Sequence, residues 1–284
     1  MKVFNKVADL QNELFARRKA GLSVGLVPTM GALHAGHASL VERCARECGT
    51  AVVSVFLNPT QFNDKGDLDR YPRTMEADLR LLESAGAHCV FAPSAEEIYP
   101  VGDTRSFSFP PVTEVMEGEH RPGHFNGVCQ VVSRLFYIAR PDKAYFGEKD
   151  FQQVAVVRHL VAHLGLPVEI VACPTVREAD GLAMSSRNTL LTPGEREAAA
   201  GIYRALAESV EYSLGHTPQQ TVRMVEEAIN AVPGLRVEYV SIVDGGTLLP
   251  ISSWDEAPHA VGCATVYCGA TPVRLIDHVT YRRP

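Results

Sequence analysis

The sequence predicts an α/β fold: a parallel sheet covered by helices on both faces, followed by a smaller α+β domain. Two observations carry this expectation. Over residues 1–175, short apolar runs alternate with stretches of helical period. That is the pattern of parallel strands joined by crossover helices. After about residue 175 the alternation gives way to two helices in series and then three clustered strand candidates, which reads as a separate α+β domain over 176–284. Apolar residues make up 46% and charged residues 21% of 284, ample material for a buried core.

The elements follow in order. Leu10, Leu14 and Phe15 are spaced for a helix over 9–20, stopped by Gly21. Residues 23–27 and 51–57 (AVVSVFL) read as buried strands, with a helix over 36–47 between them. A helix over 74–85, with Gly86 past its end, leads to a short strand at 89–92. A helix over 127–139 ends at Arg140-Pro141 and gives way to a strand at 144–147. A helix over 151–164 stops at Gly165, before a strand at 168–172. Beyond the junction, 193–214 and 218–231 are helical, and 236–244, 263–267 and 273–277 are strands. The linker falls near 176–187, and an active site between the two domains is the expectation, because ligand sites favour domain interfaces.

Composition narrows the function. A net charge of −6 argues against a nucleic-acid partner, since binding to phosphate backbones needs dense Lys and Arg. No apolar run is long enough to span a bilayer, so no membrane partner is expected. The opening MKVFNKVADLQNELF lacks the apolar core of a signal peptide. The seven cysteines include no CxxC pair, so zinc and thioredoxin spacings are absent. A reducing cytoplasm, with the thiols as small core hydrophobes, fits best.

Four stretches carry chemistry. The first is Met30-Gly31-Ala32-Leu33-His34-Ala35-Gly36-His37, directly after the first buried strand and at the opening of a helix. Such strand-to-helix turns bind phosphates in α/β proteins. His34 and His37, three apart, share a face. HxxH alone describes many surface loops; the strand and the two glycines favour phosphate. The second is Met184-Ser185-Ser186-Arg187-Asn188. Two hydroxyls and a guanidinium suit the β and γ phosphates as pyrophosphate leaves, although a Ser-rich turn by itself is ordinary. The third is Gly147-Glu148-Lys149-Asp150 between a strand and a helix. Lys149 would face the crevice above the sheet, and Asp150 also suits an N-cap. The fourth pairs Gln61, in LNPTQF after the second buried strand, with Gln153. Amides both donate and accept, as a hydroxylated organic acid requires. Two rival readings remain: a nucleotidyltransferase acting on a phosphorylated precursor, which would want a phosphate pocket in place of the glutamines, and a non-catalytic nucleotide sensor.

The HxGH turn resembles the nucleotide-binding motif of the nucleotidyltransferase and class I aminoacyl-tRNA synthetase superfamily, and 184–188 looks like its mobile KMSKS-type loop. VPTMGALHAGH, VSVFLNPTQF, EGEHRPGHFNGV, YFGEKDFQQ and PTVREADGLAMSSRN together resemble the pantoate–β-alanine ligase family over most of 24–190. Ala38, Gln130 and Tyr137 depart from residues common in the family, and none is a candidate catalytic group. The resemblance implies a Rossmann-like domain over 1–175 that binds ATP and pantoate, and a C-terminal domain that closes over the active site. It implies an amide-forming ligase that takes pantoate, β-alanine and ATP to pantothenate, AMP and pyrophosphate through pantoyl adenylate. Met30 to His37 then line the ATP site, with His34 and His37 on phosphate and His37 as proton donor. Gly147 to Asp150 contact the nucleotide, with Lys149 on phosphate; Val176 sits near adenine; Met184 to Arg187 close over the phosphates. Gln61 and Gln153 hold pantoate, with Gln61 also near β-alanine. The resemblance further puts Arg121 on the adenylate side and Asp78 near the crevice. The family uses Mg²⁺ with ATP and is homodimeric; no all-protein metal cage is visible, as expected for magnesium held by phosphate oxygens and water.

Overall fold

Six strands pair in parallel in the order β1-β4-β3-β2-β5-β6. They are β1 (Lys2–Phe4), β2 (Val24–Thr29), β3 (Thr50–Val55), β4 (Cys89–Phe91), β5 (Lys143–Gly147) and β6 (Glu169–Cys173). The helices α1 (Val7–Lys19), α2 (Ala35–Glu47), α3 (Lys65–Arg70), α4 (Met75–Ser84), α5 (Ala95–Ile98), α6 (Glu117–His120), α7 (His124–Ala139) and α8 (Phe151–Leu164) lie among them in the chain. This is a computed structural model, and it describes residues 1–63 and 65–281. Residue 64 and the tail 282–284 of the expected second domain lie outside the described residues.

By internal contacts the chain forms two units. The first is Met1–Phe109, Arg121–Glu148 and Gln153–Pro174. The second is Pro110–His120, Lys149–Gln152 and the chain from Thr175 onward. The short segments 110–120 and 149–152 thus precede residue 175 in sequence yet group with the C-terminal half.

In the first unit, Leu40, Val41 and Cys44 of α2 and Leu82 of α4 pack with Val27, Val53 and Val90 of the sheet. Each fully buried Val or Leu is worth roughly 1.5–3 kcal/mol, so this packing, more than helix propensity, fixes α2 on the central strands. The seven cysteines are free and buried, and burial alone pushes the Cys129 thiol up to about 12.

Strand β2 is central but contains Pro28. Its ladder with β5 holds only Gly25↔Lys143 and Leu26↔Ala144, whereas its ladder with β3 runs to Thr29↔Val55. The Thr29 carbonyl accepts from Phe56 N on the β3 side, so the neighbouring Pro28 nitrogen faces β5. A missing donor is tolerated there because pairing has already ended. β2 and β5 therefore part at their carboxyl ends. Strands β3 and β4 lie to one side of β2, and β5 and β6 to the other. Ligands bind at such a switch point in open parallel sheets.

Two differences from the expected elements have simple causes. β1 is only three residues and pairs with β4 from Lys2↔Cys89 to Phe4↔Phe91; it is too short to show a period. Helix α7 starts at His124, so Gly127 lies inside it rather than opening it. There the backbone of Thr60 and Gln61 comes so close that any side chain would collide with it.

In the second unit, β7 (Leu235–Asp244), β8 (Ala260–Cys268) and β9 (Val273–Thr280) form an antiparallel sheet in chain order. Helices α9 (Pro193–Tyr212) and α10 (Pro218–Asn230) precede it, and Ile202, Leu206, Val225 and Ile229 pack with Val266 and Leu275. Both helices begin Thr-Pro and carry a capping box, Thr192 with Glu195 and Thr217 with Gln220. The buried Glu117 ties 110–120 to this sheet. Its Oε1 accepts from Arg274 Nη2 at 2.8 Å, Tyr239 OH at 2.7 Å and Thr265 Oγ1 at 3.0 Å. Gln152 Oε1 in turn accepts from Glu117 N at 3.0 Å, and its Nε2 donates to the Val112 and Val115 carbonyls at 2.9 and 2.7 Å.

Candidate active site

The residues after β2 form a turn held from below by one carboxylate. Asp78 on α4 is 2% exposed. Its Oδ2 accepts from Ala32 N at 3.0 Å, and its Oδ1 from Leu33 N at 2.8 Å and Thr74 Oγ1 at 3.0 Å. Ala32 sits at φ 51, a left-handed conformation that costs an ordinary residue on the order of 1 kcal/mol and persists only where the surroundings enforce it. The two charge-assisted bonds to Asp78 do so.

The turn delivers two histidines to the start of α2. His34 is its N-cap, and His34 Nδ1 accepts from Gly36 N at 3.2 Å. His37 Nδ1 accepts from His34 N at 3.3 Å, and the ring centroids are 4.1 Å apart. An Nδ1 that accepts must be unprotonated, so in the neutral ring the proton is on Nε2. Both imidazoles are thus set as Nε2–H donors beside the N-terminus of a 13-residue helix, whose dipole favours an anion. The sequence predicts the shared face; the reciprocal cap that fixes the tautomers is visible only in the structure.

Gln61 follows β3 on a 3₁₀ turn and is 9% exposed. Its Oε1 accepts from Asn58 Nδ2 at 3.1 Å, and its Nε2 approaches Met30 Sδ at 3.1 Å. Gln61 and the histidine turn are therefore brought together. Asn58, 1% exposed, is the hub: its Nδ2 also reaches the Gly127 carbonyl at 3.2 Å, and Tyr99 OH donates to its Oδ1 at 3.0 Å. His124 Nδ1 lies 2.9 Å from the Gln61 carbonyl, and Arg121 Nη1 lies 3.2 Å from His124 Nε2. In sequence Asn58 is a turn marker, and His124 lies in the quoted stretch EGEHRPGHFNGV without an assigned role. Gly147 ends β5 beside β2, and Glu148 follows on a 3₁₀ turn. Gln153 is half-buried on α8. The two glutamines differ in support, because Gln61 is held by Asn58 whereas no hydrogen bond joins it to Gln153 among the described residues.

The other candidates lie in the second unit. Lys149 Nζ is 3.7 Å from Asp150 Oδ1. Lys149 and Ser185 line one recess, together with Ala183, Asn188, Leu275 and Asp277. Residues 176–184 form a hairpin: Met184 N donates to the Val176 carbonyl at 3.0 Å and Glu178 N to the Leu182 carbonyl at 2.9 Å. Ser185 caps the turn Ser186–Leu190, its Oγ accepting from Arg187 N at 3.3 Å. Ser186 is buried at 7% exposure, so its hydroxyl is less accessible than that of Ser185. Arg177, which no sequence motif singles out, holds the hairpin to β9: its guanidinium bonds both Asp277 oxygens, at 2.6 and 2.9 Å.

Paired imidazole donors at a helix start, with a held amide within reach of the same turn, suit a nucleotide-binding protein on a Rossmann-like α/β sheet. The sequence profile described as pantoate-beta-alanine ligase matches residues 2–280. A pantothenate synthetase of Bacteroides thetaiotaomicron is 59% identical over 282 residues, covering 99% of each chain. The crystal structure of pantothenate synthetase from Thermus thermophilus superposes with a TM-score of 0.91 at 47% identity, over 99% of this chain and 100% of that one. A pantoate-beta-alanine ligase from Francisella tularensis, complexed with beta-gamma ATP and beta-alanine, gives a TM-score of 0.84 at 32% identity over 99% and 98%. The chain belongs to the pantoate–β-alanine ligase family and is a ligase of that family.

Proposed function

We propose that this ligase makes pantothenate in two steps. The carboxylate of (R)-pantoate attacks the α-phosphorus of ATP, forming pantoyl adenylate and releasing pyrophosphate. The amine of β-alanine then attacks the acyl carbon, and AMP leaves. The observation that carries the reading is the reciprocal His34–His37 cap, which presets two Nε2–H donors at a helix start. Charge on the departing phosphates is what such donors stabilise, and preorganised donors cost no reorganisation during reaction.

The residue roles are those that the family resemblance implies. Met30 to His37 line the ATP site, with His34 and His37 on its phosphates and His37 donating a proton as charge develops. Gln61 exchanges its weak N–H contact with the Met30 sulfur for a substrate oxygen, while Asn58 keeps its amide oriented. Gln153 reads the remaining hydroxyl of pantoate. Gly147, Glu148 and Asp150 serve the nucleotide, Lys149 and Arg187 carry positive charge to its phosphates, Met184, Ser185 and Ser186 close over them, and Val176 flanks the base. In this reading 1–175 is the binding domain for ATP and pantoate, and 176–284 closes the site.

Mg²⁺ accompanies the ATP. Asp78, the buried acid at the turn, is occupied by the Ala32 and Leu33 amides, and among the described residues no group of three or more His, Cys, Asp or Glu is placed to hold a metal. That donor set suits magnesium carried by phosphate oxygens and water, where it would neutralise charge on the β and γ phosphates. No described helix is long and apolar enough to cross a membrane. A homodimer in the cytoplasm completes the reading.

The test is pantoate-dependent exchange between ATP and labelled pyrophosphate with β-alanine omitted. Exchange is expected; a strict requirement for β-alanine would overturn the stepwise route.

A further inference from the structure

We propose that Arg177 is a positioning residue for adenylation. It anchors the hairpin 176–184 that carries Met184–Arg187, and it keeps the Asp277 carboxylate from competing with phosphate for Lys149. The proposal rests on the reading of Lys149 and Met184–Arg187 as phosphate ligands.

The anchoring is built from several independent contacts. Arg177 Nη1 donates to Asp277 Oδ2 at 2.6 Å and to the Gly181 carbonyl at 3.1 Å. Its Nη2 donates to Asp277 Oδ1 at 2.9 Å and to the His278 carbonyl at 3.3 Å. The guanidinium also lies over the Tyr203 ring, 3.7 Å from its centroid, a favourable stack for a delocalised cation. Gly181, at φ 94, packs so tightly on the same ring that a side chain would collide with it. A single guanidinium thus joins the hairpin's first strand, its turn, α9 and β9.

The electrostatic half follows from place. Asp277 has a side chain only 3% exposed and borders the same recess as Lys149 and Ser185. Paired with Arg177, it is a neutral neighbour. Unpaired, it is a buried carboxylate beside the lysine meant for phosphate, and it would attract that ammonium and repel the nucleotide. A bidentate fork is what satisfies both oxygens at once, and lysine cannot reproduce it.

Three variants separate the two effects. Arg177→Gln removes anchor and charge, and is expected to lower kcat/KM for ATP in the exchange reaction on the order of 100-fold, the scale of a roughly 1 Å misplacement. Arg177→Gln with Asp277→Asn removes the anchor but leaves no stray charge, so the loss should shrink to about 10-fold. Arg177→Lys, which keeps the charge, should fall between wild type and Arg177→Gln. In all three, the attack of β-alanine on synthetic pantoyl adenylate should change less than about threefold, which a general loss of structure would not spare. If Arg177→Gln does not fold, the double variant carries the test, and wild-type ATP kinetics in it overturn the proposal. Equal losses in both half-reactions also overturn it. Arg187→Ala and Lys149→Ala are run alongside. Normal exchange in both would sink the phosphate reading and the proposal with it, whereas impaired exchange there with a normal Arg177→Gln rejects the role of Arg177 alone.

Discussion

Asp78→Asn is the sharpest probe of the histidine turn. The carboxylate accepts three hydrogen bonds, from Ala32 N, Leu33 N and Thr74 Oγ1, at 3.0, 2.8 and 3.0 Å, in a position 2% exposed. An asparagine keeps one acceptor oxygen but turns an NH₂ toward one of the two amides. One charge-assisted bond is lost, worth about 1.5–3 kcal/mol, and a buried N–H is left facing another donor, which costs about 1–3 kcal/mol more. Partial relaxation brings the expected destabilisation to about 3 kcal/mol. At roughly 2–4 °C per kcal/mol for a chain of this order of size, the unfolding midpoint should fall by about 6–12 °C. Ala32 is then released from its left-handed φ, and the histidines two and five residues on lose their fixed direction. Exchange kcat/KM should drop about 10- to 100-fold. Thr74→Val, which removes only the neutral bond, should cost about 1 kcal/mol and little activity. Calorimetry and pyrophosphate exchange on the same preparations decide the matter. An Asp78→Asn variant with wild-type exchange and a midpoint within about 2 °C would show that the carboxylate does not hold the turn.

Three further outcomes are expected. Gln153→Leu should hurt turnover of pantoate more than that of a branched acid lacking its hydroxyls, since unpaired buried amides cost roughly 1–3 kcal/mol each; equal losses in kcat/KM on both acids would remove Gln153 from hydroxyl recognition. Arg187→Lys should slow adenylation on the order of 10-fold, because an ammonium cannot grip two phosphate oxygens as a fork does; equal turnover would leave Arg187 with charge alone or no role. Asp103, whose pKa is held down to about 2 mainly by its hydrogen bond to Arg105, stabilises the fold above the unfolded carboxylate range near 3.8. That contribution disappears as pH falls toward 2. Asp103→Asn should therefore cost about 1–2 kcal/mol at pH 7 and much less near pH 2.5, read from urea midpoints at both; a pH-independent difference would refute the linkage.

What the sequence made legible was whatever had a local period or a turn signature. The crossover helices, the long strands and the Thr-Pro starts of α9 and α10 all declare themselves within a dozen residues. The histidine turn was readable because a strand, two glycines and a helix start adjoin it. Residues that act across the chain were not readable. Asp78 meets Ala32 from 46 positions away, Arg177 meets Asp277 from 100, and Glu117 meets Arg274 from 157. In sequence Arg177 and Glu117 look like ordinary surface charges, and only the family resemblance puts Asp78 near the crevice. Thr74 and Asp78, one helical turn apart at a helix start, offered the faintest signal of the three. Gln152 and Gln153 illustrate the same limit: adjacent and identical, one serves the 112–117 segment and the other stays half-buried, a distinction that only the helix register reveals.

The attachment of Glu117 bears on how the chain is made. Its three partners are 122, 148 and 157 residues downstream. At about 5–20 residues per second on the ribosome, the carboxylate emerges roughly 8–30 s before Arg274 does. Once Cys173 is made the six-stranded sheet is complete in sequence, while segment 110–120 still has nothing to dock on. Cutting the gene at the apparent boundary reproduces this situation permanently. A piece ending at 175 keeps Glu117 and Gln152 without their sheet, and a piece starting at 176 leaves Arg274 with Glu238 but without Glu117. The cut leaves the first unit whole and divides the second, so the piece starting at 176 should become soluble only when the other is co-expressed, and a permuted gene should tolerate new ends far better inside a surface loop than at the junction itself.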